Sequence, residues 1–514
     1  MEQLNGLDAS FLAAESANQT GHVASVMFFE PQDSQAEPVI DVVRRKLAAR
    51  VPGLMPLRRR LVEIPLGLDR PYWIDDPEFD LDYHLRHIGV PPPGTDEQLA
   101  ELVARIHARP LDRARPLWEA YVVEGHESGR VALYMKVHHC AVDGMAGVEL
   151  SRALFSDEPG EMARAKRRGR PESVPGSLEM LLRGALGLVR RPRRTLAAGL
   201  RVARSAARSR DVGAVGTASG LLPLATSLGL GRVPGLYRRL GLGAGEDFAS
   251  ALPETPAPKT PFNRSITPHR RFAWADLPLA ELKSVRKAFG VTLNDVVLAV
   301  SSHALRAWLE RHEALPLDPL IAMVPVSVRA QGEGAAGGNQ VAGVMTDLAS
   351  DEPDPVKRLL RIQRSMNAAK RKHATLPPQA AREFTQFFLG VLAVQGPRLM
   401  ALAGLTERLN PIFNVTVSNV PGPREPLFLG GARMVSQYPV SMLVEGQGLN
   451  ITVVSYADTL HVGLLACREL VPDLWDLARD FSAGLEALSK AAAARAPVAM
   501  SFVPEASATK GVRE

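Results

Sequence analysis

Val137-His138-His139-Cys140-Ala141-Val142-Asp143-Gly144 sets two adjacent histidines at the end of an apolar run, with an acid four residues after the second and a glycine directly after the acid. The preceding run, Val131 to Val137, is β-branched and aromatic enough to read as a strand. The following run, Met145 to Phe155, has helical spacing at Val148, Leu150, Leu154 and Phe155. The histidines therefore sit at a strand-to-helix turn, a usual place for side chains that do chemistry.

Working outward, residues 1–157 read as one mixed α/β domain. His22 to Phe29 is strand-like, Pro38 to Ala49 and Asp96 to His107 are amphipathic helices, and Ala120 to Val123 is a strand. Trp118 reads as a core aromatic. Residues 263–490 repeat this texture. A strand starts at Arg271, helices are expected over 277–289 and 294–310, and Thr292 caps the second. Ile321 to Arg329 and Val341 to Leu348 are strand-like around a Gly-rich loop, 332–339, that lacks the spacing of a phosphate loop. Helices are expected over 354–372 and 377–409. Phe413 to Val420 alternates with Asn414, Thr416 and Ser418 on one face, and Pro421-Gly422-Pro423 ends it. No element is read from there to Leu449. Leu449 to Tyr456 and Leu460 to Cys467 form a hairpin turning at Asp458, and a last helix starts at Pro472-Asp473. The tail, 491–514, reads as loosely ordered.

Between the two α/β halves, residues 158–262 change character. The chain of 514 residues has a net charge of +6, but Glu161 to Asp211 carries 14 Lys or Arg against 4 Asp or Glu, so this segment holds +10 and the rest −4. Leu178 to Arg210 reads as a basic amphipathic helix or helix pair, which suits either an anionic membrane surface or a helical linker between domains. Hydrophobic content of 46% is enough for a large core. Aromatics at 5% leave the basic segment without the interleaving of a base-stacking surface, against a nucleic-acid partner. Two cysteines exclude a disulfide framework and fit a reducing, cytoplasmic setting. The first residues lack a basic, apolar secretory signal, and no run reaches ~18 uninterrupted apolar residues.

Several chemistries could use the doubled histidine. Adjacent strand residues point to opposite faces, so His138 and His139 do not readily share a metal, and no metal is expected. A Ser-His-Asp hydrolase would need a Gly-x-Ser-x-Gly elbow, which is absent. Cys140 follows His139 too closely to be its nucleophile. A lone general base remains, taking a proton from a hydroxyl as it attacks a thioester. Asp143 would then hold the turn by pairing with an Arg, and Gly144 would leave the approach to His139 open. A structural histidine pair accounts for the same residues without chemistry.

His139-x-x-x-Asp143-Gly144 resembles the active-site motif of the CoA-dependent acyltransferase superfamily. The doubled form resembles, more narrowly, the bacterial wax ester synthase/diacylglycerol acyltransferase family. Leu7-Asp8-Ala9-Ser10-Phe11-Leu12 is similar to that family's N-terminal signature, Pro116-Leu117-Trp118 and Asn294-Asp295 to two further motifs, and Asn419-Val420-Pro421-Gly422-Pro423 to a late one. They run in family order from residue 4 to about 465.

The resemblance implies an α/β fold of two chloramphenicol-acetyltransferase-like sandwich domains joined by a helical linker, with a channel between them and the histidine at its middle. It implies acyl-CoA as substrate, no cofactor, and diacylglycerol or a long-chain alcohol as acceptor. His139 would be the general base and Asp143 a support. His138, turned into the domain by strand alternation, would be structural. Ser418 and Thr416 are candidate oxyanion donors, with Asn294 a competitor whose other reading is a helix start. The site would form only when the halves dock. A water-insoluble acceptor and the basic segment together suggest peripheral attachment to the inner membrane or lipid bodies. The rival readings are an acyltransferase for specialised or polyketide esters and a non-catalytic lipid-binding membrane protein.

Overall fold

A computed structural model describes residues 1–30, 37–65, 69–142, 144–155, 256–327, 341–374 and 410–495, and a few more between 175 and 183. Most of the basic segment, the Gly-rich loop, the helix expected over 377–409 and the tail from residue 496 on lie outside these residues, whereas 491–495, read as loosely ordered, continue the last helix to Arg495.

The strands are β1 (Glu2–Gln3), β2 (His22–Glu30), β3 (Arg59–Val62), β4 (Tyr72–Asp75), β5 (Leu85–Gly89), β6 (Trp118–Glu124), β7 (Val131–His138), β8 (Arg270–Pro278), β9 (Ile321–Ser327), β10 (Val341–Asp347), β11 (Val415–Val420), β12 (Phe428–Leu429), β13 (Ala432–Val440), β14 (Leu449–Tyr456) and β15 (Thr459–Cys467). The longer helices are α1 (Gly6–Ala14), α2 (Val39–Arg50), α3 (Asp96–His107), α4 (Gly144–Phe155), α5 (Leu279–Phe289), α6 (Leu293–Arg311), α7 (Pro355–Ala374) and α8 (Leu474–Arg495). Among the described residues the strands make two six-stranded sheets, β12-β13-β2-β7-β6-β5 and β10-β9-β11-β14-β15-β8, and a small third one, β1-β4-β3. The chain is a mixed α/β protein with two sheet-containing domains.

Local chemistry explains the helix ends. α3 starts with a capping box, Thr95 to Gln98, and buries Leu99, Ala100, Val103, Ala104 and Ile106 as one stripe. α6 starts with a second box in which Thr292 and Asp295 exchange hydrogen bonds. Leu277 and Pro278, expected to open α5, instead finish β8, where they pair with Leu460 and Thr459. The helix therefore begins at Leu279, and it stops at Gly290, whose φ of 65° is the left-handed conformation glycine takes without steric cost.

The first sheet is covered on both faces. Leu133, Met135 and Val137 of β7 pack with α2, α4 and Trp118. Trp118 is fully buried and its indole N–H donates to the Leu57 carbonyl at 2.8 Å. Ala132 and Tyr134 on the other face pack with α3 and with Phe272, Trp274 and Leu465 of the second sheet. The second sheet's opposite face builds a separate core with α5, α6, α7 and α8.

The stretch read without any element, between Pro423 and Leu449, holds β12 and β13. β13 belongs to the first sheet, antiparallel to β2 from Arg433↔Glu30 to Val440↔Ala24. A bulge between Met434 and Ser436 shifts the register and breaks the alternation by which such a strand is recognised. From this strand Tyr438 stacks on Trp274, at 5.1 Å between ring centroids, and donates its hydroxyl to Asp276 of β8 at 2.9 Å.

A Cβ on Gly463 of β15 would stand 1.8 Å from the Pro439 carbonyl oxygen. Gly463→Ala is therefore expected to push β13 off the second sheet and cost about 1–3 kcal/mol of stability. Denaturant unfolding checks this, and an unchanged midpoint would show that the contact yields without cost.

Candidate active site

β7 ends at His138, so His139 lies in the turn and not on the strand. The two histidines part because the strand stops between them, rather than by alternation alone. His138 is 1% exposed, while His139 is only half-buried.

The His138 ring is held on both nitrogens. Its Nδ1 accepts from the Cys140 backbone N–H at 3.1 Å, which leaves Nε2–H to donate to the Glu15 carboxylate at 3.2 Å. Glu15 follows α1 directly and was not anticipated as part of the site. Burial pushes its pKa up, but the His138 ring, the Gly21 N–H at 2.9 Å and the Arg113 guanidinium outweigh that and bring it down to about 2. Arg113 meets Glu15 through Nη2 at 2.8 Å and Nε at 3.2 Å, and also donates to the Leu12 carbonyl at the end of α1. A carboxyl depressed below its ordinary value contributes stability above about pH 4.5, lost as the pH falls toward about 2.

His139 is tied to the same loop. Its backbone N–H donates to the Gly21 carbonyl at 2.9 Å, and its ring stacks on Phe11 with centroids 4.5 Å apart. The N-terminal signature thus acts at the turn, with Phe11 supplying the face against which the imidazole lies. Cys140 is buried, and burial, reinforced by Asp8 and Glu15, pushes its thiol well above the ordinary value, which argues against a thiolate nucleophile. Asp143 lies outside the described residues, and its expected pairing with an Arg lies outside them with it. Gly144 is the first residue of α4. Among the described residues no group of three or more His, Cys, Asp or Glu could hold a metal ion.

The oxyanion candidates sit on the second sheet. Thr416 and Ser418 of β11 share one face and are half-buried, and they pair with Asn450 and Thr452 of β14. Val415, Val417, Ile451 and Val453 on the other face enter the second domain's own core. Following the register across the sheet, Ser418, Thr452, Gly463 and Trp274 form one row, and Thr416, Asn450, Leu465 and Phe272 the next. Trp274, Phe272 and Leu465 pack on the first sheet. The hydroxyls therefore lie on the face that the second domain turns toward the first. Asn450 and Thr452 add polar groups there that sequence reasoning missed. Asn294 is half-buried in the first turn of α6, beside the Thr292–Asp295 box.

Three contacts brace the loop and its neighbours from the second half. Arg270 Nη2 donates to the Asn18 carbonyl, the Glu445 N–H donates to Gln19 Oε1 at 2.9 Å, and His107 Nε2 donates to the Ser441 carbonyl at 2.8 Å. His107 accepts the Tyr134 hydroxyl on Nδ1 at 2.8 Å, and burial lowers its pKa to about 3, so it stays neutral.

Comparison with known proteins supplies the class of chemistry. The model of the wax ester synthase/diacylglycerol acyltransferase catalytic domain matches residues 4–297, and that of the corresponding C-terminal domain matches residues 337–489. A Mycobacterium tuberculosis protein named as a diacylglycerol O-acyltransferase is 36% identical over 95% of this chain and 99% of its own length. The O-acyltransferase WSD of Acinetobacter baylyi is 33% identical over 93% of this chain and 94% of its own. The solved wax ester synthase/diacylglycerol acyltransferase of Marinobacter aquaeolei superposes with a TM-score of 0.67 at 28% identity, covering 96% of this chain and all of that one. The first condensation domain of the CDA synthetase, at 18% identity and a TM-score of 0.52, shares the fold.

A Cβ on Gly21 would stand 2.5 Å from His138 Nε2 and 3.3 Å from the Phe11 carbonyl oxygen. Gly21→Ala is expected to displace the His138 ring or the loop, destabilising the protein by about 1–3 kcal/mol. Thermal melting reads this directly, and a wild-type melting temperature would mean that the loop is not packed as described.

Proposed function

The chain belongs to the bacterial wax ester synthase/diacylglycerol acyltransferase family, and on that premise we propose that it moves a fatty acyl group from acyl-CoA to the hydroxyl of diacylglycerol, of a long-chain alcohol, or of both. The observation that carries the site assignment is the division of labour between the histidines. His138 has both ring nitrogens engaged by Glu15 and the Cys140 N–H, whereas His139 stands half-exposed against Phe11.

In this reading His139 takes the proton of the acceptor hydroxyl as its oxygen attacks the thioester carbonyl. The tetrahedral intermediate collapses with cleavage of the carbon–sulfur bond, and the imidazolium returns the proton to the CoA thiolate. No covalent enzyme intermediate and no cofactor is needed. The developing oxyanion needs a donor, and the reading draws it from Ser418 or Thr416, with Asn294 as competitor. Asp143 would support the turn and Gly144 would keep the approach clear. The acceptors are water-insoluble, and the +10 carried by Glu161 to Asp211 supports a place at an anionic membrane or lipid-body surface on the cytoplasmic side. Among the described residues no single helix is long and apolar enough to cross a membrane.

Purified protein given palmitoyl-CoA with hexadecanol, with diacylglycerol, or with neither should release thiol only when an acceptor is present. Release without one would indicate a thioesterase and sink the transferase reading. In the same assay His139→Ala should abolish transfer while His138→Ala leaves measurable turnover. Ser418→Ala or Thr416→Ala should cost ~10²-fold or more if that hydroxyl is the donor. A wild-type rate removes the residue from the site.

A further inference from the structure

We propose that Glu15 is a positioning residue for His139, holding the base through the two neighbours between which it hangs. The proposal rests on the reading of His139 as the base. His139 is fixed by its covalent link to His138 and by its N–H bond to the Gly21 carbonyl. Glu15 binds both supports at once through a single oxygen, Oε1, which accepts from His138 Nε2 at 3.2 Å and from the Gly21 N–H at 2.9 Å. Its other oxygen, Oε2, accepts from both Arg113 Nη2 and Nε, so the carboxylate cannot rotate away without breaking both charge-assisted bonds. Four donors converge on one side chain. A glutamine could not serve them, because its amide offers one acceptor oxygen and would aim an N–H at another donor.

The loop has little freedom to compensate. The span from Glu15 to Gly21 is pinned at Asn18 by Arg270 and at Gln19 by the Glu445 N–H, both from the second half. The Gly21 backbone already lies against the His138 ring. A shift at Glu15 therefore has to be taken up by His138 or Gly21, and so by the base.

The charges around the turn make the role testable. Glu15 on the loop and Arg113 on the segment after α3 face each other, with Glu63 sharing Arg113. Asp8 on α1, His22 on β2, Lys136 and His138 on β7 and Cys140 in the turn are further described titratable groups there. Asp143 is common to every variant below. Removing the Glu15 carboxylate leaves the Arg113 cation, which disfavours protonated His139. Removing Arg113 leaves the carboxylate, which favours it.

The experiment measures kcat, KM for palmitoyl-CoA and the pH profile of kcat/KM, with hexadecanol as acceptor, in protein checked for folding by circular dichroism. Glu15→Gln should lower kcat by ~10²-fold with KM within about twofold. Its acid limb should move down by about one pH unit. Arg113→Met should move the limb up, and the double variant should return it toward the wild-type position. Opposed shifts are not produced by a loss of folded protein. Limbs that stay in place, or that move the same way, overturn the proposal even if kcat falls. If Glu15→Gln does not fold, the upward shift of Arg113→Met, whose side chain is partly exposed, decides alone. His139→Ala serves as the separate control. If it keeps turnover, the base reading fails, whereas its inactivity beside an unaltered Glu15→Gln defeats only the positioning role.

Discussion

The pairing of β13 with β2 is the constraint on which the architecture depends. A strand encoded after residue 430 completes the sheet that carries the doubled histidine, through a register running from Arg433↔Glu30 to Val440↔Ala24. The same strand sends Tyr438 onto Trp274 and Asp276 of the second sheet. Separating the two domains would strip backbone hydrogen bonds from the first sheet as well as open the apolar contact among Phe28, Trp274 and Leu465. The docking of the halves is thus part of the fold of each.

Within that frame the turn after β7 is an electrostatic construction. Lys136, fully buried two residues before His138, is neutralised by Glu119 at 3.1 Å and caps the Ile106 and Arg109 carbonyls. His22 and His107 are driven toward the neutral form by burial and by the Lys136 charge nearby. Among the described residues Glu15 is the carboxylate bonded to His138, and its ionised state suits the tautomer with Nε2–H outward and Nδ1 toward the Cys140 N–H. Two histidines adjacent in sequence thereby acquire different chemistry. One ring is held on both nitrogens, and the other lies on an aromatic face with its backbone anchored.

Much of this was legible in the sequence. The β-branched and apolar runs of β2, β7, β14 and β15, the alternation of β11, the amphipathic helix α3 and the capped helix α6 gave the two α/β halves, because apolar runs of that length have few alternatives. The doubled histidine and its neighbouring motifs gave the family. What could not be read was set by contacts distant in sequence. β13 was hidden by its bulge and by polar residues that face another sheet. Glu15 and Gly21 carry no pattern of their own and acquire meaning only when α1 is folded against a turn 123 residues away. The end of β8 was misplaced because Leu277 and Pro278 suit a helix start as well as a strand end, and the ladder to β15 decides between them.

The late hydroxyl strand and the docking aromatics belong to one rigid object. Ser418, Thr452, Gly463 and Trp274 lie in a single row across β11, β14, β15 and β8, some three strand spacings or ~14 Å from end to end. At one end of the row Trp274 packs against Phe28 and Tyr438 of the first sheet. At the other end is a hydroxyl facing the same side. A hydrogen-bonded sheet does not shear easily along such a row, so the position of Ser418 relative to the first domain is governed by how Trp274 seats. The first domain places its histidine turn by an equally short route, through the loop held by Arg270 and the Glu445 N–H. His139 and Ser418 come from different domains, and each is referenced to the other domain by contacts a few residues away. Their separation is then set by how the two sheets dock, so that motifs scattered over some four hundred residues are held in one frame.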